Sequence, residues 1–200
     1  LHRQGAVKGE RDTSDLIARI ENESKRMGSL VEDLLLLARL DQARKMDSKP
    51  VDINTVVEDA VISARAAGPN HPVELISSGD EIFTLGDEVR IHQVVANLLA
   101  NARAHTPAGT PITVSISETN AGVQISVADK GPGISEEDQK RIFERFYRSD
   151  SSRVRTGPDG SGLGLSIVEA VMRAHGGTSS VSSKLGEGAT FTLFFPRHEN

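Results

Sequence analysis

The sequence predicts an α+β fold. A mixed sheet, covered by helices on one face, forms a two-layer α/β sandwich, and one long bundle-type helix precedes it. Three observations carry this expectation. Between Ser14 and Asp41 the apolar residues Leu16, Ile20, Met27, Leu30, Leu34 and Leu37 recur at steps of three, four or seven, with Leu35 and Leu40 widening the stripe. From Val51 onward, helical and strand patterns mix without strict βαβ alternation, which favours one sheet with helices on one side. Two glycine clusters, Asp129-Lys130-Gly131-Pro132-Gly133 and Gly160-Ser161-Gly162-Leu163-Gly164-Leu165, punctuate the second half.

The 200 residues allow one large domain, or one domain with a helical appendage. A net charge of −5 argues against a nucleic-acid surface as the main function. Trp is absent and Tyr147 is the single tyrosine, so aromatic stacking on nucleic acid is poorly supported. No cysteine is present, which excludes a disulfide framework or thiolate zinc site and fits a reducing cytoplasm. The longest aliphatic run, Leu34 to Ala38, is far too short to span a bilayer.

Residues 1–13 are polar and read as a connector. The long helix that follows, about 40 Å at the standard rise, carries a stripe that needs partners in a bundle or coiled coil. The polar stretch ending at Pro50 sets a boundary between residues 1–49 and 50–200. Asp52 is placed to cap a helix carrying Ile53, Val56, Val57, Ala60, Val61 and Ala64. Val73–Ser77 and Ile82–Leu85 read as short strands around a Ser-Ser-Gly-Asp turn. Asp87 caps a helix running to about His105, which Pro107 helps to end. Ile112–Ser117 and Val123–Ala128 alternate and flank Asn120-Ala121-Gly122, a hairpin. Ser135 opens a short helix with a near capping box. Residues 149–161 lack periodicity and read as a mobile loop. Leu163–His175 is a helix closed by Gly176-Gly177, and Thr178–Ser182 and Ala189–Phe195 are strands around Gly186-Glu187-Gly188.

Within this frame certain residue types suggest phosphate chemistry. Asn97 and Asn101 are four apart and share one helix face. An amide oxygen is a neutral, hard ligand suited to Mg²⁺ that otherwise keeps water and phosphate oxygens. Asp129 ends a strand, where a carboxylate can accept from the exocyclic amine of adenine; guanine offers a carbonyl there and is repelled. Gly160, Gly162 and Gly164 lead into a helix whose first amides attract phosphate oxygens, and glycine permits close backbone approach. Gly157-x-x-x-x-Gly162 is not followed by Lys-Ser/Thr, so it is no Walker loop, and no dinucleotide fingerprint is present. Arg145, Arg148, Arg153 and Arg155 lie in or beside the loop, where they could meet a triphosphate or a partner's carboxylates. His2, His71, His92, His175 and His198 lack acidic neighbours at ligand spacing and read as structural or exposed.

Asn97-Leu98-Leu99-Ala100-Asn101, the Asp129 cluster, Phe143-Glu144-Arg145-Phe146-Tyr147-Arg148 and the Gly160 cluster follow one another within about seventy residues. In this order they resemble the ATP-binding catalytic domain of bacterial sensor histidine kinases, of the GHKL or Bergerat type. The resemblance implies that Asn101 binds Mg²⁺ and that Asn97 supports it. It implies an ATP site formed also by Arg103, His105, Asp129, Gly131, Gly133, Ile134, Phe146, Gly160, Gly162, Leu163, Gly164, Leu165 and Thr190. Many members place Lys or Arg three residues after the second Asn, then Tyr; here Ala104 and His105 stand there, with Arg103 preceding. Gly186-x-Gly188-Ala189-Thr190 resembles the last glycine box, and Phe143 and Phe146 the aromatic box that anchors one end of the loop.

DNA gyrase, a heat-shock chaperone, mismatch-repair ATPases and anti-sigma serine kinases share this nucleotide fold, and they typically carry Glu four residues before the metal-binding Asn. Here that residue is Asn97, and an amide cannot take a proton. Slow hydrolysis and a histidine acceptor, already nucleophilic when neutral, are expected. The family's acceptor motif, His-Glu/Asp-x-Arg-x-Pro-Leu, does not occur in the chain. The long helix resembles the second helix of the dimerisation domain, with the acceptor-bearing helix expected upstream of Leu1. The resemblance therefore implies a phosphoryl donor to a histidine outside this chain, a homodimer through the long helix and a response regulator as partner. It also implies a cytoplasmic location, within a parent anchored in the membrane by other segments. The alternative is a nucleotide-binding regulatory module without phosphotransfer.

Overall fold

The computed structural model describes residues 10–42, 48–149 and 161–197. The expected mobile loop, with Arg153, Arg155 and Gly160, falls almost wholly outside them, as do His2 and His198. Helix α1 spans Glu10–Asp41, so residues 10–13, expected as connector, are helical. Strand β1 (Lys49–Asp52) follows, beginning one residue before the expected boundary at 50, and then α2 (Ile53–Ala67). Both Asp52 oxygens cap α2, accepting from Asn54 N (3.0 Å) and Thr55 Oγ1 (2.6 Å).

The strands expected around one turn do not pair with each other. Strand β2 (Val73–Ile76) pairs in parallel with β4 (Ile112–Thr119), whereas β3 (Phe83–Gly86) pairs antiparallel with β1 in a separate ribbon. The segment between them is pinned to α2 instead of closing a hairpin. Ser77 Oγ donates to Asn54 Oδ1 (2.5 Å), Asn54 Nδ2 donates to Asp80 O (2.5 Å), and Ile82 is buried.

Helix α3 (Glu88–His105), β4 and β5 (Gly122–Asp129) come next, followed by the single turn α4 (Glu136–Gln139), α5 (Gly164–Ala174), β6 (Thr178–Lys184) and β7 (Gly188–Pro196). The five-stranded sheet runs β2-β4-β5-β7-β6, with only β2–β4 parallel. Helices α2, α3 and α5 cover its apolar face. There Val114, Ile125, Val127, Phe191, Leu193 and Phe195 meet Val57, Leu98, Leu99, Ile167 and Val171. The opposite face carries small polar residues such as Ser115, Ser126 and Thr192, as the period of two requires.

His175, just past α5, is buried. Its Nε2 accepts from Asp87 N (3.0 Å) and its Nδ1 lies 2.8 Å from Val171 O, which places the proton on Nδ1. The ring thereby ties the end of α5 to the cap of α3, the structural role expected for it.

The stripe of α1 divides in two. Leu36 and Leu37 are buried where α1 packs on α5, and Leu30 and Leu40 are partly covered. Leu16, Ile20, Met27, Leu34 and Leu35 are exposed, together with Ile17 and Val31. At the foot of the helix, Arg145 Nη2 donates to both oxygens of Asp41 (2.7 and 2.8 Å). Among the described residues no helix is long and apolar enough to cross a membrane.

Burial and charge should contribute unequally to this docking. Leu37→Ala is expected to cost about 2–5 kcal/mol in urea unfolding. Asp41→Ala, which removes a solvent-exposed pair, should cost below about 1 kcal/mol. Equal losses would show that the ion pair holds α1 in place.

Candidate functional site

The rotation of α3 creates the site. Ile91, Val94, Val95, Leu98, Leu99 and Ala102 bury one face of the helix, so Asn97, Asn101 and His105 emerge on another. They line a cavity of about 800 Å³, bounded also by the end of β5, the 132–135 turn, residues 142–149 and the start of α5. Asn97 Nδ2 donates to Gly164 O (3.3 Å), which joins α3 to the first residue of α5.

Asp129, the last residue of β5, lines the cavity, and its Oδ1 accepts from Gly131 N (2.8 Å). Burial raises its carboxyl above the usual aspartate range, while backbone hydrogen bonds from Gly131 and Ala189 act in the opposite direction. A half-buried acceptor with an incomplete set of donors suits a neutral N–H donor from a ligand.

The glycines serve two different ends. At Gly133, with φ +74°, an added Cβ would lie 2.1 Å from Lys184 O; at Gly131 it would lie 2.5 Å from Thr106 Cγ2. These glycines let the chain pack closely on itself at the turn. Gly162, with φ +71°, lines the cavity, and a Cβ there would lie 2.9 Å from the Phe146 carbonyl carbon. Gly164 also lines the cavity, but a Cβ there meets nothing within 4 Å. Nothing among the described residues demands glycine at 164. Leu163 provides no side-chain cap to α5, so among the described residues no N-cap side chain takes up the first amides of the helix.

Of the residues that the resemblance assigns to the ATP site, Asn97, Asn101, His105, Asp129, Gly133, Ile134, Gly162, Gly164 and Leu165 converge on this cavity. Five described ones do not line it. Arg103 Nη1 donates to Ala64 O (2.7 Å) at the end of α2. Gly131 shapes the turn from behind. Leu163 is fully buried in the core. Phe146 is 60% exposed at φ 61°, and its N–H donates to Gly162 O (2.9 Å), so it braces the glycine without being an apolar anchor. That anchor is Phe143, edge-on to Phe191 at 6.4 Å. Thr190 pairs with Ala128 on the outer face, whereas Ala189, opposite Asp129, lines the cavity. Alternation along β7 turns Thr190 away.

Sequence reasoning missed Thr106, Ser135, Asp138, Ile142, Tyr147 and Phe191 in the lining. The near capping box at Ser135 was a signal for the first turn of α4; Phe191 was visible only as core.

Comparisons with known proteins place the fold in a family. The family described as "Histidine kinase-, DNA gyrase B-, and HSP90-like ATPase" matches residues 86–199. A probable sensor histidine kinase, TcrY of Mycobacterium tuberculosis, is 48% identical over 170 residues, covering 85% of this chain and 36% of its own length. The sensor-like histidine kinase SenX3 of Mycobacterium bovis is 40% identical over 176 residues, covering 87% of this chain and 43% of its own. The chain thus spans well under half of these curated relatives. Full-length ShkA in complex with AMPPNP superimposes with a TM-score of 0.75 at 30% identity, over 98% of this chain and 41% of that one. The mycobacterial sensor histidine kinase MprB gives 0.65 at 27% identity, over 74% and 97%.

The fold is that of the ATPase domain of histidine kinases. The chain belongs to the family of histidine kinase-, DNA gyrase B- and HSP90-like ATPases, and its relatives within it are sensor histidine kinases.

The two kinds of glycine should separate on substitution. Gly133→Ala is expected to lower stability by at least about 1–2 kcal/mol through its left-handed backbone alone. Gly164→Ala should leave thermal unfolding unchanged or raise stability by up to about 1 kcal/mol. A destabilised Gly164→Ala would mean that the fold, and not a ligand, requires that glycine.

Proposed function

We propose that this chain is the phosphoryl-donating part of a sensor histidine kinase, passing the γ-phosphate of Mg-ATP to a histidine outside these 200 residues. The observation that supports it is the convergence, in one cavity, of the Asp129 carboxylate, the Asn97 and Asn101 amides and the open N-terminus of α5.

Asp129 accepts from the adenine amine, with Gly133 and Ile134 beside it. Backbone amides at Gly162 and Gly164 face the phosphates, helped by the positive end of the α5 dipole. The donor set fits Mg²⁺ rather than a cation needing an acidic cage. Asn101, supported by Asn97, offers a neutral oxygen, and no group of three or more His, Cys, Asp or Glu suited to a metal exists among the described residues. When bound, Mg²⁺ would neutralise charge on the phosphate oxygens. The residues of the chain position the triphosphate for in-line attack by the imidazole. An N–P bond forms, the bond from the γ-phosphorus to the β–γ bridging oxygen breaks, and ADP leaves. The neutral imidazole nitrogen attacks without prior deprotonation, so the absence of a carboxylate at Asn97 suits transfer and disfavours hydrolysis.

Residues 1–49 belong in this reading to a dimerisation domain, residues 50–200 to the catalytic domain. The exposed stripe from Leu16 to Leu35 pairs with a second copy, a response regulator takes the phosphoryl group onward, and the parent protein is membrane-anchored elsewhere.

Four outcomes are expected. Asp129→Asn weakens ATP binding about ten- to a hundredfold by calorimetry, the equivalent of about 1.4–2.7 kcal/mol. The unliganded protein melts no lower at pH 7. The raised carboxyl makes ionised Asp129 a cost to folding that grows as pH rises through its folded value, and the Asn side chain removes that cost. For the same reason wild-type affinity should fall, on acidification, above the usual aspartate range. Unchanged affinity in Asp129→Asn would remove Asp129 from the adenine role. With γ-labelled ATP, label should reach a helical hairpin bearing an acceptor histidine and not accumulate as free phosphate. Rapid release of phosphate by the chain alone would overturn the assignment of Asn97.

A further inference from the structure

One side of the cavity is held by a small polar network with no counterpart in the roles above. Tyr147, Asp138 and Ser135 all line the cavity. Tyr147 Oη donates to Asp138 Oδ1 (2.6 Å), and Ser135 Oγ donates to Asp138 Oδ2 (2.8 Å) while accepting from Asp138 N (3.1 Å). Both carboxylate oxygens are therefore occupied. The Arg141 guanidinium lies over the Tyr147 ring, 4.4 Å from its centroid. Beneath, Gln139 Nε2 donates to Ile134 O (2.8 Å) and Ser183 O (3.0 Å), which fastens α4 to β6.

We propose that Asp138 is a positioning residue for nucleotide binding: it holds the Tyr147 ring in the cavity wall against which the nucleotide packs. This rests on the nucleotide reading of the cavity. Helix α4 is a single turn and cannot fix a side chain nine residues away by its own stability. The charge-assisted bond from Tyr147 does so, and it holds the phenol in its protonated, donating form. A ring fixed before the ligand arrives loses no rotamer freedom on binding. Ser135 and Gln139 supply the rigid frame from which Asp138 acts.

Tyr147 is the single tyrosine, and the chain has no tryptophan, so near-ultraviolet absorption and intrinsic fluorescence report on this ring with no competing chromophore of either kind. The test titrates the full chain with Mg²⁺ and a non-transferable ATP analogue. In wild type, saturation is expected to change the tyrosine signal. By calorimetry, which does not depend on the tyrosine that Tyr147→Phe removes, Asp138→Ala and Tyr147→Phe should each weaken affinity by about three- to tenfold. The double variant should be no weaker than the weaker single one, because both break the same bond. Asp138→Asn, which keeps an acceptor for the phenol, should recover most of the affinity. If Asp138→Ala unfolds, Tyr147→Phe alone and combined with Asp138→Asn carries the same comparison. Losses that multiply in the double variant would assign Asp138 to the cap of α4 and overturn the proposal while leaving the nucleotide reading intact. Absence of both binding and spectral change in wild type would overturn the nucleotide reading, and the proposal with it.

Discussion

The site depends on how α3 is docked. Six apolar side chains from Ile91 to Ala102 must leave water together, and all are buried against the sheet and the neighbouring helices. At about 1.5–3 kcal/mol for each large side chain, this burial outweighs any polar interaction on the other face. One rotation of the helix satisfies it, and that rotation presents Asn97, Asn101 and His105 to the cavity. The amides need no network of their own to be placed; the core places them.

Helix α5 ties this constraint to α3 at two points, its middle and its N-terminal cap. Its first residue accepts from Asn97 at the cavity, and His175 beyond its last turn receives the Asp87 amide at the start of α3. Its apolar face lies in the core, and α1 packs against it through Leu36 and Leu37. The helix whose N-terminal residues line the cavity is therefore in direct contact with α1.

Much of this was legible in the sequence, because most elements announce themselves through periodicity. The hydrophobic phases of α2, α3 and the β4–β5 hairpin named the buried faces correctly, and the Asn pair followed from the phase of α3. Illegible features were those decided by tertiary pairing. Strand β1 is four residues long and contains Pro50, so no pattern distinguished it from a linker. The partners of β2 and β3 lie in different sheets, which two adjacent short apolar runs cannot reveal. Thr190 was assigned to the site by motif, and a strand phase fixed by Phe191, Leu193 and Phe195 turned it outward. The resemblance points to Arg103 because it precedes the family's basic position, but its side chain meets the carbonyl end of α2, the natural destination for a cation. Asp138 and Tyr147 are joined across the cavity wall by a bond that spacing alone does not show.

The amide at 97 also has a structural reason to be an amide. Asn is both donor and acceptor, so its Nδ2 can bond the Gly164 carbonyl while the oxygen remains available to the cavity. A glutamate there has no proton to offer that carbonyl at neutral pH. The contact between α3 and α5 would become a repulsion between two acceptors unless the longer side chain swung elsewhere. One amide thus makes the interhelical tie and leaves the position without a general base. A site with that amide is suited to a nucleophile that arrives ready to react, and less suited to activating water.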